Sequence, residues 1–242
     1  MSTFNLTMAT IELGALIWAL QHWLRQKDNL ALLFAMAILL SIVFDAFTNG
    51  IGRFMGLGEA LETLIRFRMT FYYATMPLLI AISVLYLGYA GVGWARNKTV
   101  INSVIGLAVS VGAYQVIAYW DMALYPSCVF DVVRYVLEVH PDQACRPEDA
   151  GLGEFALSPV VPISAMILLL TTITLVWLTR FWWVTVVFLA SNLASAITVQ
   201  IPRDGILTYI SYPFDGLLGF LLCFVAIKLY ARRESTSTSM PA

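Results

Sequence analysis

The stretch LALLFAMAILLSIVFDAFTN, residues 30–49, contains one ionisable side chain, Asp45, in an otherwise largely apolar run. A helix of about 20 residues is about 30 Å long, which matches the hydrocarbon thickness of a bilayer. Similar runs recur along a chain that is 60% hydrophobic and 12% charged, whereas soluble domains carry about 25% charged residues. The sequence therefore predicts a polytopic membrane protein, and it excludes a disordered chain, a coiled coil and a nucleic-acid-binding protein.

Seven such runs predict an all-α bundle of seven transmembrane helices, which forms a single domain over residues 1–234. The predicted spans are residues 4–24, 29–49, 69–93, 99–125, 156–178, 181–200 and 206–230. Residues 50–68 predict a connection in which glycines end the second span. A short amphipathic helix follows on the membrane surface, either as a plain connector or as a lid over a pocket. Residues 126–155 form a long loop, and residues 235–242 a disordered tail.

Basic residues set the orientation, because cytosolic connections of membrane proteins are enriched in Lys and Arg. Eight basic residues lie on the C-terminal side, mostly on short connections, and six lie on the opposite side. We therefore expect the C-terminus to be cytosolic, and the N-terminus and the long loop to be luminal or extracellular. The eight are Arg25, Lys27, Arg96, Lys98, Arg180, Lys228, Arg232 and Arg233.

Two of the three cysteines, Cys128 and Cys145, lie in the long loop. In an oxidising compartment, two cysteines in one such loop can form a disulfide. The sequence favours this bond and leaves two free thiols as the alternative.

Ionisable groups inside a bilayer are costly, so each one is a candidate functional residue. Four acidic side chains fall within the predicted spans, all in the luminal half, so we expect a polar pocket that opens toward the lumen. Ser41, Thr48 and Asn49 share a helical stripe with the second-span acid, and Ser211 shares one with the seventh-span acid. Hydrogen bonding that only packs the helices is the alternative role. The four candidate catalytic residues are Asp45, Asp215, Asp121 and Glu12.

Aromatic residues, 13% of the chain, are frequent in the same half of the spans. Aromatic faces can line an apolar ligand pocket and stabilise a cation, although membrane helices also carry aromatic belts at their interfaces. The predicted substrate pocket combines these aromatics with polar residues of the two stripes. Its residues are Phe44, Asn49, Tyr72, Tyr119, Ser211 and Tyr212.

Several cofactor-dependent classes lack their motifs in this sequence. Two histidines, His22 and His140, cannot supply a three-histidine metal site or a pair of haem ligands within one bundle. The chain has no lysine in the middle of the last span, no Asp-x-x-Asp motif and no HExxH motif. Retinal proteins, magnesium–diphosphate enzymes and zinc proteases are thereby excluded, and we expect neither a metal nor a cofactor.

The segments FDAFTNGIGRFMG around Asp45 and SYPFDGLLGF around Asp215, with seven spans in about 240 residues, resemble the small integral-membrane terpene cyclases of meroterpenoid pathways. This resemblance implies a multi-pass enzyme of the endoplasmic reticulum. Its reaction would be a metal-independent cyclisation of a lipid-soluble, prenylated substrate, started by protonation of an epoxide or alkene. The substrate and membrane lipid are the expected partners, and nucleic acid is not.

The same intramembrane acids also suit a small-solute or proton-coupled transporter or channel, in which they would act as relay groups. A receptor or scaffold without enzymatic activity is a third possibility. A conduction path needs polar residues through the full depth of the membrane. Clustering of the acids in one half favours a closed pocket and therefore an enzyme.

The topology gives a first prediction. A reporter fused after Arg233 should be active only on the cytosolic side, because the basic residues hold that end there. Cys128 and Cys145 should react with a thiol reagent only after reduction. A luminal reporter signal, or full alkylation of both thiols in unreduced protein, would contradict the predicted orientation or pairing.

Overall fold

The computed structural model of this protein describes residues 1–129, 131–153, 158–200 and 211–238. Within these residues the chain is mostly helical, with one two-stranded antiparallel sheet. The helices are α1 (Ser2–Arg25), α2 (Leu30–Met55), α3 (Glu59–Thr75), α4 (Leu78–Tyr89), α5 (Lys98–Tyr119), α6 (Val160–Thr179), α7 (Trp183–Gln200) and α8 (Ser211–Thr238). The strands are β1 (Tyr125–Val129) and β2 (Val132–Val136).

The mostly helical structure confirms the predicted helical fold, and six helical segments of the described chain are long and apolar enough to cross a membrane. The segments are Ser2–Arg25, Leu30–Met55, Glu59–Tyr89, Lys98–Tyr119, Val160–Thr179 and Pro213–Ser235. The remaining long helix, α7, has 18 residues and packs against α6 and α8.

The second span does not end at residue 49, as the glycines had suggested. Helix α2 continues through Gly50 and Gly52 to Met55, and the chain leaves it at Gly56 with φ of 70°. A Cβ atom at Gly50 would lie 2.7 Å from the Leu6 side chain, and one at Gly52 would overlap the Val133 carbonyl. These two glycines allow neighbouring segments to approach closely, and they do not interrupt the helix.

The helix predicted within residues 50–68 is the first part of a longer helix, because α3 begins at Glu59 and continues past residue 68 to Thr75. Acidic side chains in the first turn of α3 favour a helix start at this point. Leu61 and Ile65 are fully buried, and α3 packs against α2 and α5. The apolar face therefore contacts protein. Pro77, which has no N–H group, separates α3 from α4.

The fourth span ends at Tyr119, earlier than the predicted residue 125. Arg66 of α3 holds this end, since its guanidinium donates hydrogen bonds of 2.7 Å to the carbonyls of Trp120 and Met122. The chain then enters β1, so the predicted loop 126–155 begins with a β-hairpin. A disulfide joins Cys128 of this hairpin to Cys145, with the two Cα atoms 4.8 Å apart.

The β1–β2 hairpin packs on the end of α2, and we call this end of the bundle the hairpin end. Asp131 accepts hydrogen bonds from the Ser2 backbone N–H (3.1 Å) and from Arg53 (3.1 Å). It also pairs with the ammonium group of Met1 at 2.7 Å. The hydrogen bond from that ammonium group, with the one from the Ser2 backbone, lowers the pKa of Asp131 to about 2. These bonds fasten α1 and α2 to the hairpin.

The last helix also differs from its predicted bounds. Residues 206–210 of the predicted span lie outside the described residues, and α8 extends from Ser211 to Thr238. The start of the tail predicted as disordered is therefore helical, because the sequence places neither glycine nor proline between residues 231 and 238.

Close packing of α5 on α3 gives a second prediction. A Cβ atom at Gly112 would lie 2.5 Å from the Ala74 carbonyl oxygen, whereas one at Gly106 of the same helix meets nothing within 4 Å. Gly112→Ala should lower the free energy of unfolding by about 1–3 kcal/mol. Gly106→Ala should leave it unchanged or raise it. Thermal denaturation of both variants in detergent tests this, and equal denaturation temperatures would contradict the packing.

Candidate functional site

Three of the predicted catalytic acids meet toward the hairpin end of the bundle. Glu12 lies on α1, Asp45 on α2 and Asp215 on α8. Each carboxyl group interacts electrostatically with the other two. Three helices far apart in sequence therefore contribute one acidic cluster, which we call the carboxyl cluster.

Asp45 is the member of the carboxyl cluster with a cationic partner. Arg68 of α3 forms an ion pair with its Oδ1 atom. Asn49, one turn further along α2, donates from Nδ2 to the Asp45 carbonyl (2.9 Å) and to Oδ2 (3.3 Å). A guanidinium and a side-chain amide thus both contact this carboxylate.

Asp215 has a neutral partner from α7. The Ser191 hydroxyl donates a hydrogen bond to Asp215 Oδ1. Ser191 is buried, with 4% of its surface exposed. This bond joins α7 to α8 at the depth of the carboxyl cluster.

Glu12 is the most deeply buried of the three acids, with 3% of its surface exposed. Neither of its carboxyl oxygens has a hydrogen-bond partner within the described part of the chain. The side chain lies against Gly216, where a Cβ atom would overlap Glu12 Oε1. A glycine next to Asp215 therefore makes the space into which α1 places its carboxyl group.

A cavity of about 230 Å³ extends from two members of the cluster into the bundle. The acids Asp45 and Asp215 lie in its wall together with Tyr72 and Ser191, and the other lining residues that the structure describes are apolar. On each helix that contributes a polar residue to the lining, this residue comes nearer the hairpin end, and apolar residues follow one or two turns deeper. They are Ile42 and Ile38 on α2, Met76 and Leu79 after Tyr72, Phe188 on α7, and Leu218 and Leu222 on α8.

The structure places the other predicted site residues as follows. Asp121 is exposed in the turn after α5, away from the cavity lining. Phe44 lies on a separate apolar groove between α1 and α2, and Tyr119 stacks on Tyr73 with ring centroids 4.5 Å apart. The side chains of Ser211 and Tyr212 lie outside the described residues.

Sequence reasoning missed two residues that contact the acids, Arg68 and Ser191. Arg68 had been assigned to the surface connection 50–68. Its position four residues before Tyr72, on the same helical face, was the available signal. Ser191 gave no signal, because a single serine is ordinary in an apolar helix.

Comparison with known proteins gives no further guide to the chemistry of this site: no protein-family model, curated protein or solved structure matches the chain. Within the described residues, no three His, Cys, Asp or Glu side chains are arranged to hold a metal ion. The cluster is therefore interpreted from its own contacts.

Burial of Glu12 gives a third prediction. Methionine has a similar length and removes the buried carboxyl group, and a buried polar group without a partner costs about 1–3 kcal/mol. Glu12→Met should raise the free energy of unfolding by about this amount, measured by thermal denaturation in detergent. The control is Glu148→Met, at a side chain that is 73% exposed, where we expect a change within about 0.5 kcal/mol. A lower denaturation temperature for Glu12→Met would show that the carboxyl group stabilises the fold.

Proposed function

We propose that this protein is an integral-membrane enzyme of the terpene-cyclase type. It would cyclise a lipid-soluble, prenylated substrate by a metal-independent reaction that begins with protonation. The observation that supports this proposal is the cavity, whose walls are apolar except at one end, where Asp45 and Asp215 lie. An isoprenoid chain would lie against the apolar part of the cavity wall, and its reactive group would lie beside the acids.

The proposed architecture has seven spans, with α7 as the additional one. Its 18 residues extend about 27 Å at 1.5 Å per residue, which lies within the range of spanning helices. We propose a luminal N-terminus and a cytosolic C-terminus from the distribution of basic residues. The endoplasmic reticulum is the proposed membrane, and a disulfide between Cys128 and Cys145 suits a luminal hairpin.

The proposed reaction is an isomerisation in which one proton enters and one leaves. A carboxyl group of the cavity donates its proton to an epoxide oxygen or to a terminal alkene carbon, and a carbocation forms. Tyr72 and Phe188 lie in the cavity wall, where aromatic faces stabilise positive charge. Attack by a second double bond closes the ring, and a carboxylate removes a proton to form the final alkene. Substrate and product have the same mass, so no oxidant or nucleotide is consumed.

Transport through the bundle is supported less well by these residues. A proton-coupled carrier needs polar groups on both sides of its central acids. Below Asp45 and Asp215 the wall consists of Ile38, Leu79, Leu222 and other apolar side chains. This distribution favours a pocket that is closed at its deep end.

Turnover by variants of the two cavity acids gives a fourth prediction. The full-length protein in microsomes would be supplied with prenylated aromatic substrates, with and without a terminal epoxide, and products of unchanged mass would be sought by mass spectrometry. Asp215→Asn and Asp45→Asn should each lower turnover by about 10²–10⁴-fold, because an amide keeps the shape of the side chain but cannot transfer the proton. Asp142→Asn is the matched control, since Asp142 is exposed in the hairpin region.

Membrane abundance and denaturation temperature would be measured for every variant. Folded Asn variants that retain turnover within a few-fold of the wild type would remove Asp45 and Asp215 from the mechanism. Absence of a cyclised product from the wild-type protein with every substrate tested would contradict the proposed function.

A further inference from the structure

The two cavity carboxyl groups differ in the charge of their partners. Asp45 forms an ion pair with Arg68 and accepts a hydrogen bond from Asn49. The partner of Asp215 is the neutral Ser191 hydroxyl. These contacts come from different helices, so the difference is built into the packing of the bundle.

The carboxyl cluster has one described cationic contact, the Arg68 guanidinium, which limits how many of its carboxyl groups can be ionised together. Glu12, Asp45 and Asp215 repel one another when ionised, and Arg68 provides one positive charge. Two other basic residues described toward this end have their own acidic partners: Arg53 pairs with Asp131, and Arg66 pairs with Glu62. In a site of low dielectric constant, an ionised carboxyl group is stable where a cation contacts it.

We infer that Arg68 divides the roles of the two cavity acids: it keeps Asp45 ionised as the proton acceptor and leaves Asp215 protonated as the donor. The catalytic part of this inference rests on the proposed function, whereas the protonation states do not depend on it. Contact with the Arg68 guanidinium stabilises the ionised form of the Asp45 carboxyl group. Ionisation of Asp215 would place a second negative charge near Asp45, and the described partner of Asp215 is a neutral hydroxyl group.

The remaining groups around Asp45 are consistent with this division. Glu12 contributes a third carboxyl group without a described partner, so it too is neutral in this arrangement. Tyr72 interacts electrostatically with both cavity acids and with Arg68, and it is neutral at physiological pH. Among the described side chains of the cluster, Asp45 then carries the negative charge that faces the Arg68 guanidinium.

Arg68 acts in this scheme as a positioning residue, because it contacts Asp45 but is absent from the cavity lining. Its effect on catalysis would pass through the charge of Asp45. The proton would enter the substrate from the α8 side of the cavity, and the final proton would leave toward α2. This order specifies which carboxyl group acts first.

Infrared spectroscopy tests the protonation states without any substrate. Protonated carboxyl groups have a C=O stretching band that carboxylates lack, and it can be compared among folded full-length variants in lipid nanodiscs at pH 7. Asp215→Asn should remove one such band, and Asp45→Asn should remove none. Arg68→Gln should add a band that is missing in the double variant Arg68→Gln/Asp45→Asn. Arg68→Lys, which keeps the charge, should add none.

Loss of a protonated-carboxyl band in Asp45→Asn, or its retention in Asp215→Asn, would overturn the assignment. So would the absence of a new band in folded Arg68→Gln. If Arg68→Gln does not fold, the two Asn variants still decide the question. Arg146→Gln, at a side chain that is 67% exposed, is the control for loss of an arginine and should leave the spectrum unchanged.

Turnover tests the catalytic part of the inference. Its outcome can be distinguished from the infrared test of the protonation states of Asp45 and Asp215. Arg68→Gln should lower turnover by about 10²–10⁴-fold, as Asp45→Asn does, and the double variant should be no slower than Asp45→Asn alone. Arg68→Lys should restore most of the activity. Additive losses in the double variant would overturn the role of Arg68. If the wild type forms no cyclised product, the proposed function fails while the infrared result stands.

Discussion

Contact between one guanidinium and the carboxyl cluster is the constraint on which the packing of the neighbouring helices depends. The ion pair between Arg68 and Asp45 joins α3 to α2, the bond from Ser191 to Asp215 joins α7 to α8, and Glu12 brings α1 against Gly216. The first two contacts fix α3 against α2 and α7 against α8, whereas α1 contributes a carboxyl group without a described partner.

Helical periodicity converts this cluster into a chemically graded cavity. Residues three or four positions apart lie on the same helical face, so Asp45 is followed by Ile42 and Ile38 toward the interior of the bundle. Asp215 is followed in the same way by Leu218 and Leu222. Because the polar residue of each helix lies at the same depth in the bundle, the polar residues form one layer of the cavity wall. The apolar residues form the layers below it. A molecule with a reactive head and a hydrocarbon body has one favourable orientation there.

Much of this arrangement could be predicted from residues taken singly, but contacts between helices could not. The cost of charge in a membrane was enough to select Glu12, Asp45 and Asp215 as candidates. It also selected Asp121, because hydropathy did not show that α5 ends at Tyr119. The glycines at positions 50 and 52 were misinterpreted as a break, since only the neighbouring Leu6 and Val133 reveal why no side chain fits. Arg68 was assigned to a loop because a cation in a membrane helix makes sense only once its partner Asp45 is seen.

The contacts of the hairpin turn have a consequence for the order of assembly. Ser2 and Asp131 are 129 residues apart in the chain, yet two hydrogen bonds join them. During synthesis, α1 and α2 emerge well before Asp131. The ends of these two helices therefore lack their contacts with the hairpin until α3, α4 and α5 have been synthesised. The first pair can form early through its own extensive contacts, but its final alignment is reached only after β1 and β2 have paired. The contacts of the N-terminal helices are thus completed late in synthesis, when the hairpin in the middle of the chain has formed.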